Sequence, residues 1–173
     1  MTNLAFYKKE LKTNKSVFNS LFNSLEEESY TWKPNAEKWS ALEILCHLID
    51  EEKEDFRFRM NFIIENQKPP LPSIDPVNWA VQRNYASQNF KEKFKAFFLE
   101  RDQSLEYLDS LDCQADYWNN TCEHQHFGLL TPEFFLNNWL AHDLLHIKQL
   151  TRLKYDYLTY KSKQRIDYAG QWT

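Results

Sequence analysis

Two groups of histidines carry the chemistry this sequence offers. One is the pair in His142-Asp143-Leu144-Leu145-His146; the other is the single His47, in Cys46-His47-Leu48. Residues four apart on a helix lie on one face a turn apart, so the paired imidazoles can grip a single cation. A third nitrogen from a distant helix would complete a three-ligand set and leave a position open for water or substrate. That open position separates a metal that works on a substrate from one that only ties helices together.

At about 100° per residue, His142 shares its helix face with Phe135, Trp139, His146, Gln149 and Leu153. The face is largely apolar and is expected to look inward, with Trp139 and Gln149 forming the wall of a pocket. Two imidazoles buried together resist protonation, through desolvation and like charge. A cation between them removes the difficulty.

The surroundings of His47 allow two readings. Glu43, Asp50, Glu51 and Glu54 share its face, while Leu42, Leu45, Ile49 and Phe56 lie opposite. Either His47 sits on the wet, acidic side of an amphipathic helix, or those carboxylates accept hydrogen bonds from a metal-ligating ring.

The pair differs from the HExxH of zinc proteases by aspartate in place of glutamate, and the shorter side chain places a base differently. Beyond His146 only Asp156 and Asp167 remain as downstream ligands, so a third ligand is expected upstream and protease chemistry is not. Asp143 points about 100° away from His142 and is not assigned as a base; no catalytic residue is assigned. His124 and His126 read as a polar loop able to line the mouth of the site. Cys46 reads as a small buried residue rather than a nucleophile.

Four helices must position these side chains. The first spans roughly Asn3 to Glu28. The second opens with a capping box, Ser40 and Glu43, and runs to about Asn66, before Lys68-Pro69-Pro70-Leu71-Pro72 stops it. The third covers Ser87 to Ser110. The fourth starts at Thr131 as N-cap with Pro132 at the first helical position and reaches at least Leu153. The pattern predicts an all-α four-helix bundle, one domain over residues 1–173, with a long crossover between helices 2 and 3. Cys113–Leu130 and the tail Leu158–Thr173 look irregular, and Tyr168 and Trp172 are expected to dock the tail.

Composition agrees with few, long helices: only two glycines and six prolines occur in 173 residues, while aromatics reach 16%. A net charge of −4 gives no reason to expect nucleic acid. No apolar run approaches the ~18–20 residues that span a bilayer, and the start lacks the pattern of a secretory signal. Three cysteines without CxxC spacing fit a reducing compartment, so the expectation is cytoplasmic.

Two blocks together resemble a known family. Trp39-Ser40-Ala41-Leu42-Glu43-Ile44-Leu45-Cys46-His47-Leu48-Ile49-Asp50 is similar to the first histidine block of the DinB-like (YfiT-type) superfamily. Phe127-Gly128-Leu129-Leu130-Thr131, followed by Asn138 through Gln149, is similar to its second. The resemblance implies a four-helix bundle, often a homodimer, with a divalent metal held by three histidines, here His47, His142 and His146. It also implies a metal-dependent enzyme acting on small molecules. Thiol-dependent members include mycothiol-dependent maleylpyruvate isomerase and bacillithiol S-transferases. Zinc or nickel is the expected ion, with a low-molecular-weight thiol as cosubstrate or water as the nucleophile. The alternative is a bundle whose metal only stabilises it, or a stress-related binding module without turnover.

Overall fold

Helices begin where the sequence supplies side-chain acceptors for their unpaired N–H groups. In a computed structural model, which describes residues 2–170 and Trp172, Asn3 caps α1 (Leu4–Asn23). The capping box is present as read: Ser40 Oγ accepts from the Glu43 N–H, and Glu43 Oε2 accepts from the Ser40 N–H, opening α2 (Ala41–Asp50). A π-helical turn, Glu51–Phe56, continues α2 without a break into α3 (Arg57–Ile64). A short α4 (Pro76–Gln82) lies in the crossover, and Asn89 caps α5 (Phe90–Asp109). Thr131 caps α6 (Pro132–Ser162), with Pro132 where a missing N–H costs nothing.

Three boundaries differ from expectation. The first helix stops at Asn23 instead of Glu28, because Glu26 is extended and Glu27–Ser29 form a separate 3₁₀ turn. The last helix continues to Ser162 and ends at Lys163 in the left-handed conformation. Within Cys113–Leu130 a hairpin forms, β1 (Cys122–His124) against β2 (Gly128–Leu130). Its three-residue loop is followed by Gly128 at φ 70, a conformation that favours glycine. In the tail Trp172 packs on Tyr155, at 5.3 Å between ring centroids, whereas Tyr168 is fully exposed and docks nothing.

Residue pairings give the topology. Asn14 meets Asp143 and Ser24 meets Lys154, so α1 and α6 run parallel. Lys8 pairs with Asp109 and Lys15 with Asp102, so α1 and α5 are antiparallel. Glu52 meets Arg101 and Asn61 meets Tyr107, so the α2–α3 helix and α5 point the same way. Two successive helices in one direction need the long crossover that residues 65–89 supply.

Two apolar clusters form the core, one around Leu11, Met60, Leu108 and Trp139, the other around Phe18, Leu45, Phe97 and Leu150. Between them lies a polar layer with Asn14, Glu51, Glu52, Arg101, Asp143 and His146, all buried. No described helix is long and apolar enough to cross a membrane.

Candidate metal centre

The layer between the two cores brings the three predicted histidines together. His47, from the last turn of α2, places its Nε2 3.1 Å from Nε2 of His142. His146, one turn further along α6, places its Nε2 3.0 Å from the same atom. These three side chains are the one group of metal-ligating residues that converges among the described residues.

Of the two readings of His47, the wet face is excluded by its burial. His47 is 6% exposed, and every residue from Ala41 to Leu48 is buried. This helix runs through the middle of the molecule and is enclosed all round. On α6 the inward stripe is Leu136, Trp139, Asp143, His146 and Leu150, so Asp143 is fully buried while Leu145 is exposed.

Burial makes the imidazoles neutral. It pushes His47 down to about 3 and His142 down to about 2, with the adjacent rings adding to the effect. His146 is lowered by the same cause. The other ring nitrogens face acceptors. The Gln149 side-chain oxygen lies 2.8 Å from His146 Nδ1, and Glu51 Oε1 lies 3.8 Å from His47 Nδ1. His47 Nδ1 and Glu51 Oε1 are both buried and otherwise without partners.

That arrangement fits a cation. With all three rings protonated at Nδ1, as the Gln149 oxygen favours for His146, three Nε2 lone pairs converge with no proton between them. A divalent ion would satisfy those lone pairs, with His47 Nδ1 turned toward the Glu51 carboxyl group 3.8 Å away. Acceptors behind ligating histidines are the usual means of orienting them.

Comparison with known proteins gives the family and the fold. The family model of the DinB superfamily matches residues 10–150. The chain belongs to the DinB superfamily. No curated protein matches the sequence. Among solved structures, the fold is similar to that of YfiT from Bacillus subtilis, described as a probable metal-dependent hydrolase with an unusual four-helix bundle topology. The TM-score is 0.75 at 12% identity, over 95% of this chain and 91% of that one.

The remaining expectations divide. In this DinB-superfamily chain Gln149 lies beside the histidines, but it holds His146 as well as bordering a cavity. Trp139 is not a pocket wall: it is 1% exposed, lies under the site, stacks on Phe56 and donates its indole N–H to Glu52. His126 is exposed and does not line the cavity beside His142; its neighbour His124 does. Burial pushes the Cys46 thiol up to about 12, which leaves it inert.

Sequence reasoning missed the support beneath the histidines. Arg101 forms a two-pronged pair with Asp143, at 2.7 and 2.8 Å, and donates from Nε to Glu52 at 2.7 Å. Asn14 donates to Asp143, and Ser104 and Trp139 donate to Glu52. The Asp143 in the His-Asp-Leu-Leu-His motif is therefore a structural carboxylate. Arg101 stands in an apolar row of α5, and a charge there was the one signal that could have exposed the network.

One cavity reaches the histidines at His142, and a second lies beyond Trp39 and Gln149 and is lined by none of the three. The first, of about 490 Å³, is bordered by His142, Glu51, Asp55 and Arg59, with Phe56, Phe134 and Phe135 among its apolar lining. The other, of about 1240 Å³, runs under the tail past Trp39 and Gln149. Trp39 also lies against the His47 ring, at 4.8 Å between centroids.

Proposed function

We propose that this protein is a metal-dependent enzyme acting on small molecules, that His47, His142 and His146 hold a divalent ion such as zinc or nickel, and that its reaction is hydrolysis. The observation that carries this reading is the convergence of three Nε2 atoms at the edge of a cavity of about 490 Å³, a size suited to a small ligand. The description of YfiT as a probable metal-dependent hydrolase agrees with it.

A divalent ion there supplies Lewis acidity and lowers the pKa of a water or thiol that meets it. The chain supplies the rest. Glu51 Oε2 lies 4.0 Å from His142 Nε2, the nearest carboxyl group to the convergence point on the cavity side. Burial and the neighbouring Asp55 push it up to about 9, so it accepts a proton from the nucleophile only once a bound cation has ionised it. Gln149 keeps the His146 ring in orientation. The aromatic lining of the cavity excludes water around the substrate.

Transfer of a low-molecular-weight thiol is the second reading, and one observation favours it. The larger cavity on the Trp39 and Gln149 side gives a second reactant its own space. The deciding experiment assays metal-loaded protein against a panel of esters, amides and electrophiles, with and without added thiol. Thiol-independent turnover that disappears in His142→Ala supports hydrolysis. Turnover only with thiol supports transfer. X-ray absorption showing the ion saturated by protein side chains, with no turnover across the panel, makes the metal structural.

A cytoplasmic homodimer belongs to the same proposal. The exposed Leu144, Phe127 and Leu129 offer apolar area for a twofold contact. Sedimentation at micromolar concentration is expected to give a dimer, and a monomer withdraws it.

A further inference from the structure

Arg59 is a buried charge that neither the histidine site nor the network beneath it uses. It is 8% exposed and borders the smaller cavity, yet its guanidinium donates no hydrogen bond to any described residue. Its Nε lies 3.4 Å from Asp55 Oδ1, an ion pair without hydrogen-bond geometry, and its Cζ lies 5.7 Å from the Phe135 ring centroid. The contrast with Arg101 is direct, since that buried arginine spends its donors on two carboxylates and a backbone oxygen. An arginine kept only to neutralise Asp55 would be expected to close on it in the same way.

We propose that the smaller cavity takes a small carboxylic acid with an apolar body, its carboxylate held by the Arg59 guanidinium and its reacting end at the histidines. The inference rests on the proposed function and names its substrate class. A guanidinium presents paired donors in a plane that matches a carboxylate. Glu51, Asp55 and Arg59 follow one another at four-residue intervals through the π-helical turn into α3, so Arg59 lies about two helical turns from the residue beside the histidines. The wall between is apolar, with Phe56, Leu71 and Phe135. With a divalent ion at the histidines, the fixed charges around the cavity leave a positive surplus, which a carboxylate neutralises.

The test is calorimetric titration of metal-loaded protein with 4-phenylbutyrate and with 4-phenylbutyramide, its neutral counterpart. The wild type is expected to bind the acid at least tenfold more tightly than the amide. Arg59→Gln is expected to lose that preference at unchanged metal content, and Asp55→Asn to bind the acid no more weakly than the wild type. Equal binding of acid and amide by the wild type, or binding of neither, overturns the proposal. So does a preference that survives in Arg59→Gln, which would put the carboxylate on the ion. If Arg59→Gln does not fold, Asp55→Asn still decides, because weaker acid binding there shows that the guanidinium alone is no receptor. Metal content separates the two readings: a wild type that holds no ion defeats the proposed function, whereas a lost or absent acid preference at full metal content defeats only the role of Arg59.

Discussion

Glu51 and Glu52 are neighbours in the chain, as are His142 and Asp143, yet each pair divides between two regions of opposite character. Glu52 and Asp143 belong to a dry network with Arg101, Asn14, Ser104 and Trp139 in which donors meet acceptors at 2.7–3.0 Å. Glu51 and His142 belong to the layer beside it, where His47 Nδ1, Glu51 Oε1 and Arg59 Nε are buried without hydrogen-bond partners. Unmade hydrogen bonds in a buried site are costly, so fully satisfied charge reads as scaffold and unsatisfied charge as prepared for something not in the chain. The π-helical turn makes the division feasible, since it turns both adjacent glutamates inward. Such turns occur often at functional sites.

The comparison is broken most severely from the scaffold side. Arg101→Leu leaves Glu52 and Asp143 buried without their counter-charge, and a loss of on the order of 3–5 kcal/mol of stability is expected in urea unfolding. A loss below about 1 kcal/mol would mean that the network is not the dry, tightly paired element described.

From the functional side, the expected effect falls on the ion. His47→Ala, His142→Ala or His146→Ala should each weaken metal binding by more than 100-fold, a larger effect than the loss of a supporting group, while the metal-free variants still fold. Full occupancy in His47→Ala, measured by elemental analysis, removes that residue from the ligand set. The supporting acceptors come next: Glu51→Gln and Gln149→Ala are expected to weaken the ion by roughly 10–100-fold without abolishing it. No change in either would show that the two acceptors do not orient the rings.

Acid pH tests the same contrast in the metal-free protein. In the metal-free protein the histidines are depressed far below their ordinary value, to about 3 for His47 and about 2 for His142. The unfolded chain takes up protons below about 6.5 while the folded one does not. Stability is therefore full above that pH and falls as pH drops toward the folded values, by up to about 1.4 kcal/mol per pH unit for each histidine. Metal release should follow the same direction, since protons compete for the same nitrogens. A flat acid profile between pH 6.5 and 5, in chemical unfolding of the metal-free protein, would contradict their burial as neutral rings.

Local signals were legible wherever a few neighbouring residues decide the outcome. Ser40 with Glu43, and Thr131 with Pro132, set helix starts because caps act within a single turn. The His142 and His146 pair was visible because four-residue spacing is enough to align two rings. Trp139 was misplaced because helical spacing reports which residues share a face, not how deep that face lies. His126 was misplaced because its hairpin aims it outward, and only the pairing of His124 with Gly128 shows that.

By itself the sequence determined the helix caps, the crossover length that an unusual helix order requires, and the alignment of two histidines. All of these follow from contacts within a few residues or from the reach of a linker. Only the tertiary structure decided that His47 joins the pair across 95 residues, that Asp143 answers Arg101 across 42, and that Arg59 lies buried with its Nε unpartnered. Such contacts depend on how four helices pack, and packing sums many weak side-chain interactions that no local pattern in the chain records.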